Sequence, residues 1–147
     1  MQLTSQDFQN NDFIPDKFTC RGEDVNPNLE ISAVPAEAKS LALIVDDPDA
    51  PAGDWVHWLV WNIAPKTKTI TADSVPEGAS QGTADFGKPG WGGPCPPSGT
   101  HRYFFKLYAL DSMLDLRASN CKKDLGAAMQ GHIAAKTELV GLVEVKR

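Results

Sequence analysis

Two short runs, Leu41 to Val45 and Trp58 to Trp61, are apolar at every position. A strand with one wet face alternates polar and apolar side chains, so strands without alternation must be covered on both faces. That requirement puts both runs in the middle of a layered fold, where side chains at the strand ends are rigidly supported. The segments around them, 39–45 (KSLALIV) and 56–63 (VHWLVWNI), are rich in β-branched and aromatic residues and stop at Asp46-Asp47-Pro48 and Pro65. Residues 101–110 (HRYFFKLYAL) and 138–145 (ELVGLVEV) read as two more strands, with shorter ones at Leu29 to Ser32 and Thr67 to Ile70. The 12 glycines and 11 prolines cluster in a few places, which suits short strands and shaped loops better than a helical bundle. One helix is predicted over about 121–135, from Leu125, Met129 and Ile133 at i, i+4 and i+8, with Ser119 or Asn120 as its cap. Gly126 and Gly131 each weaken it by about 1 kcal/mol relative to alanine, so it depends on packing. Residues 71–100 carry little regular signal, and a loop of that length is functional or disordered; Phe86 and Trp91 argue for order.

A chain of 147 residues suffices for one core, so residues 1–147 are expected to form a single domain. Residues 1–60 hold 11 acidic and 3 basic groups, and 61–147 hold 8 and 11. The basic groups are scattered, and Lys122-Lys123 is the only adjacent pair before the terminal Lys146-Arg147. That pattern is a poor footprint for nucleic acid, where phosphate contacts need clustered cations. The longest apolar run is five residues, far below the ~18 a membrane span needs, and Met1 to Asp12 lacks a signal-peptide pattern. Three cysteines (Cys20, Cys95, Cys121) without C-x-x-C spacing predict neither a disulfide framework nor a zinc knuckle, and favour a reducing, cytoplasmic setting.

Three segments carry side chains suited to chemistry. Asp46-Asp47-Pro48-Asp49-Ala50-Pro51 follows a buried strand, and three carboxylates this close require partners or a raised pKa. It reads either as an acidic turn or as a strand end aiming one carboxylate into a pocket, and its X-Pro bonds suit a cis peptide. His57, between Trp55 and Trp58, is either a satisfied core histidine or a site residue, while the tryptophans read as core. The stretch Gly92-Gly93-Pro94-Cys95-Pro96-Pro97-Ser98-Gly99-Thr100-His101-Arg102-Tyr103 delivers His101 and Tyr103 to one face of the next strand and Arg102 to the other. Its glycines would let backbone N–H groups approach a small anion. His132 lies beside the helix stripe and reads as structural.

DPDAP (47–51), VHWLVWNI (56–63) and GPCPPSGTHRY (93–103), in this order, resemble the phosphatidylethanolamine-binding protein family, also called Raf kinase inhibitor-like proteins. FTCRGEDVNPNLEI (18–31) and AMQGHI (128–133) resemble its bacterial branch, so the likeness spans nearly the whole chain. The resemblance implies a mainly β, Greek-key β-sandwich with a few peripheral helices. It implies an anion pocket lined by Asp47, His57, His101 and Tyr103, with Gly93 and Pro96 in one wall. Asp49, Pro51 and Cys95 would support it, with Ala50-Pro51 the candidate cis bond. Two departures stand out: Cys95 replaces the small glycine-type residue often found in animal relatives, and the chain is shorter than theirs at the C-terminus. Contacts made there with kinases therefore do not carry over.

The expected activity is binding of a phosphate or phosphoethanolamine-like head group by a regulatory domain, without catalytic residues, cofactor or metal. Modulation of a kinase or protease and a homodimer are compatible with it. The competing reading is a hydrolase or transferase using the same Asp/His/Tyr pocket, with Cys95, Ser98 or Tyr103 as nucleophile. No G-x-S-x-G elbow or P-loop supports that reading, and Asp47, His57 and His101 lack standard metal-site spacing. Trp91 would give the pocket an apolar rim.

Overall fold

The structure, a computed structural model, describes residues 1–145. In chain order its strands are β1 (Gln2–Thr4), β2 (Asp12–Phe13), β3 (Leu29–Ser32), β4 (Ser40–Asp47), β5 (Trp55–Ile63), β6 (Thr69–Ile70), β7 (Ser80–Gln81), β8 (Thr100–Leu110) and β9 (Ile133–Glu144), with helix α1 (Lys122–Met129) before the last. They form a three-stranded sheet, β1-β3-β6, and a six-stranded sheet, β2-β9-β8-β4-β5-β7. The result is the mainly β, two-sheet fold expected, with one helix near the C-terminus.

Central β4 pairs antiparallel with β5 on one side and β8 on the other, and all its residues are buried. Leu41, Leu43 and Val45 pack with Trp58, Phe105 and Leu107 and with Leu29, Ile31 and Ile70 of the small sheet. Ala42 and Ile44, on the opposite face, pack with Leu59, Trp61 and, from the helix, Leu125 and Met129. The missing alternation thus has its physical reason: one face is covered by the second sheet, the other by the helix. Each fully buried leucine or isoleucine here contributes about 1.5–3 kcal/mol. Ladder pairing also carries β4 through Asp46 and Asp47, so both carboxylates sit on a strand rather than in a turn.

The helix is shorter than expected. It begins after Cys121, whose N–H donates to the Asp124 carboxylate at 3.0 Å, so neither Ser119 nor Asn120 is the cap residue. This bond, with one from Asn120, holds Asp124 below the usual carboxylate range. The helix ends at Met129 because Gly131 takes φ +82°, which reverses the chain. Ile133 opens β9 opposite Leu110 and is 45% exposed. His132 ties this turn to Asp111 (Nδ1 to Oδ1, 2.7 Å), a structural role as expected.

Two further expectations fail. Peptide bonds among the described residues are all trans, Ala50-Pro51 included. The acidic turn closes instead through Gly53, with φ +104° and its N–H donating to the Ala50 carbonyl at 3.0 Å. Cys20 and Cys95 are joined in a disulfide across 75 residues, leaving Cys121 free and exposed. Folding brings them together because segment 18–24 packs along the loop: Cys20 N–H donates to the Pro94 carbonyl, and Gly93 N–H to Asp24 Oδ1. The bridge removes the cysteine argument for a reducing compartment. No helix among the described residues is long and apolar enough to cross a membrane.

Candidate functional site

Three neighbouring strands of the large sheet converge at one end. Asp47 closes β4, His57 lies near the start of β5, and His101 and Tyr103 open β8 on the face that continues into Phe105. Their side chains line a cavity of about 220 Å³, with Gly93, Cys95, Pro96 and Pro97 as one wall. Ala50, Pro51, Trp55 and Phe86 line it as well. The volume lies below the ~300 Å³ at which drug-sized sites begin, so the cavity suits a small group.

The polar side chains are ordered by one another. Asp47 Oδ2 accepts the Nδ1–H of His101 at 2.7 Å, and its Oδ1 accepts the Asp49 N–H at 2.8 Å. His57 donates Nδ1–H to the Gly92 carbonyl at 2.5 Å, since a carbonyl can only accept. Burial holds His57 below the ordinary histidine range, while Gly92, Asp47, Asp46 and Asp24 pull it upward. Burial, then the charge of Asp47, pushes the Tyr103 phenol well up.

Asp47, His57, Gly93, Pro96, His101 and Tyr103 are thus brought together, and Pro51 and Cys95 join them. Asp49 stands just outside. Its Oδ2 accepts from the Arg102 Nε–H and its Oδ1 from Nη2, both at 2.9 Å, which holds its carboxyl down at about 2. Arg102 is exposed on the other face, as the strand alternation predicts.

Two expectations about the loop and one about Trp55 are corrected. The amides of Gly92 and Gly93 are not open: Gly92 N–H donates to the His57 carbonyl and Gly93 N–H to Asp24, and Pro94, Pro96 and Pro97 have no N–H. Trp91 forms no rim; it packs inward, edge-on to Trp58 and stacked on Phe105. The aromatic rim is Trp55 with Phe86, in T-shaped contact at 5.6 Å. Trp55 is therefore not a core residue, and its place on the last register pair of β4–β5, opposite Asp47, was the available signal. Asp46 is the other residue the sequence left unassigned. It lies on the opposite face, where its Oδ2 meets Lys106 at 3.0 Å and Lys122 at 2.7 Å.

The site makes stability pH-dependent at both ends. Between the depressed native pKa of His57 and about 6.5, the unfolded chain binds a proton that the native chain refuses. Stability from this group is complete above that window and falls as pH drops through it. Tyr103 acts oppositely: its native pKa is raised, so stability is lost as pH rises above about 10. Urea midpoints should therefore peak at about pH 7–9 and fall on either side. A flat profile from pH 5 to 11 would contradict this assignment.

A family model described as phosphatidylethanolamine-binding protein matches residues 4–144 of this chain. A UPF0098 protein of Methanothermobacter thermautotrophicus is 48% identical over 147 residues, covering 97% of either chain. Among solved structures, a putative phosphatidylethanolamine-binding protein homologue from Chlamydia trachomatis superposes with a TM-score of 0.95 at 43% identity, over 99% of this chain and 97% of that one. Escherichia coli YbcL, titled a new member of the mammalian family of that name, gives 0.92 at 32% identity, over 99% and 98%.

Proposed function

The chain belongs to the phosphatidylethanolamine-binding protein family, and on that footing we propose that its pocket binds a small phosphate-type anion, free or as the head group of a larger molecule. The observation that carries this reading is the buried Asp47–His101 pair. The carboxylate fixes His101 through its Nδ1–H, which leaves Nε2 as the ring nitrogen not engaged within the protein. Trp55 and Phe86 would cover an apolar substituent at the mouth.

The binding reading is favoured over an enzyme because the candidate nucleophiles are poorly placed. Cys95 Sγ is bonded to Cys20, Ser98 does not line the cavity, and the Tyr103 phenol is held protonated by burial.

His101→Ala should weaken binding of phosphate or phosphoethanolamine by on the order of 100-fold, since hydrogen bonds to charged groups contribute about 1.5–3 kcal/mol. The variant should stay folded, because Asp47 keeps the Asp49 N–H as a donor. Calorimetric titration beside a thermal melt reads both quantities. Unchanged affinity in a folded variant would remove the pocket from the account.

A further inference from the structure

Strand β9 pairs with β8 from Ile133 to Glu144, but on its other side only Gly141 and Leu142 have a strand neighbour, β2. Just before them, Val140 N–H donates to Asn10 Oδ1 and the Val140 carbonyl accepts from Asn11 N–H, so this edge is closed from residue 140 onward. Among the described residues no backbone pairs with the edge from Ile133 to Leu139, where Ile133, Ala134, Lys136 and Glu138 are exposed. Strand β1 lies near β9 on the core side, where Leu3 and Leu139 belong to one cluster, and makes no ladder with it. Backbone groups along a strand point alternately to one neighbour and to the other. The register with β8 runs unbroken from Val140 back to Ala135, so Lys136 and Glu138 share the direction of Val140. Their N–H and C=O groups therefore face the open edge. Such an edge is a template for another strand, and a charged side chain, lysine above all, guards it against indiscriminate pairing.

We propose that this edge pairs with a second copy of the chain: residues 135–139 of the two copies run antiparallel about a two-fold axis through Thr137, joining their large sheets into one. In that register Lys136 of each copy stands opposite Glu138 of the other. Each such pair exchanges both backbone hydrogen bonds, because all four groups point outward, and its side chains lie on one face of the joined sheet. Opposite charges directly across a ladder attract, and like charges repel. Moving the axis by one residue, to Lys136 or to Glu138, sets lysine against lysine or glutamate against glutamate. The charges thus fix the register as well as the partner. Among the described residues neither side chain forms a salt bridge within its own chain. Across β8, Lys136 faces Tyr108, and Glu138 faces Lys106, whose ammonium is held by Asp46. The pairing stops at Leu139 because the backbone groups of Val140 are already taken. This ladder is short beside the roughly 20–30 residues a side of a standard interface, so the dimer is weak and forms at high protein concentration. None of residues 135–139 lines the anion pocket, and the pairing stands independently of that site.

The test is sedimentation velocity over a range of protein concentrations, at low and at high salt. It compares the wild type with Lys136→Glu, with Glu138→Lys, and with the double exchange carrying both substitutions. The wild type should dimerise reversibly, and more weakly at high salt. Either single reversal sets like charges opposite each other in both pairs and should weaken self-association by at least about tenfold. An equimolar mixture of the two single variants restores both attractive pairs, as does the double exchange, so both should dimerise about as well as the wild type. Lys136 and Glu138 are exposed, so all variants should melt close to the wild-type temperature. A wild type that stays monomeric into the millimolar range would overturn the inference. A dimer indifferent to both reversals would place the interface on another face and overturn it too. Loss of the dimer in the single variants, with no recovery in the mixture or the double exchange, would overturn the register and with it the proposal.

Discussion

Replacing Lys106 and Lys122 together by methionine is expected to destabilise the protein by about 3–5 kcal/mol, the cost of stranding a buried charge. Asp46 has no solvent exposure, its Oδ2 holds both ammonium groups, and its Oδ1 has no partner among the described residues. Lys122 also reaches Asp54, so it links the end of β4 to the turn after it. Burial works against the charge on Lys122, but Asp46 and Asp54 win and raise its pKa. Removing the other partner is a different matter. Asp46→Leu leaves two lysines that are 31% and 36% exposed and can hydrate, so it should be nearly neutral. Urea unfolding of the two variants checks the asymmetry. A loss below about 1 kcal/mol in the double lysine variant would show that Asp46 does not depend on these cations.

The second large effect concerns the bridge. Cys20→Ser with Cys95→Ser should cost about 2–4 kcal/mol, because a cross-link over 75 residues restricts the unfolded chain strongly. The same change frees one wall of the pocket, leaving it tied to segment 18–24 by the Cys20–Pro94 and Gly93–Asp24 hydrogen bonds. Two of three cysteines are bridged, so the unfolded, unreduced protein should titrate one thiol, and three after reduction. Three thiols before reduction would contradict the bridge directly.

What was legible in the sequence follows from burial. Leu41 to Val45 and Trp58 to Trp61 are apolar on both faces because a sheet covers one side and a helix the other, so their central position could be read directly. The pocket residues were legible as a set, since strand ends beside shaped loops confine where His57, His101 and Tyr103 can stand. The partition of Asp46 from Asp47 was not. Adjacent strand residues face opposite ways, and composition does not say which face holds lysines and which a histidine. The helix was overextended because Ile133 continues an i, i+4, i+8 series by coincidence. Its backbone belongs to a ladder with β8 that a local pattern cannot reveal. The disulfide was invisible for a similar reason: only the packing of two distant segments makes Cys20 and Cys95 neighbours. Trp91 was assigned to the rim from its loop position, whereas its ring fills space between Trp58 and Phe105.

The central claim, that the Asp47/His57/His101/Tyr103 cavity is an anion site, is tested most directly by an amide-resolved NMR titration with phosphate. The account predicts saturable shifts at Asp47, His57, Cys95, His101 and Tyr103, absent in His101→Ala. Lys106, Tyr108, Lys136 and Glu138 line a second cleft, whose lysines make it the natural competitor. Shifts confined to that cleft, or unchanged by His101→Ala, would contradict the account.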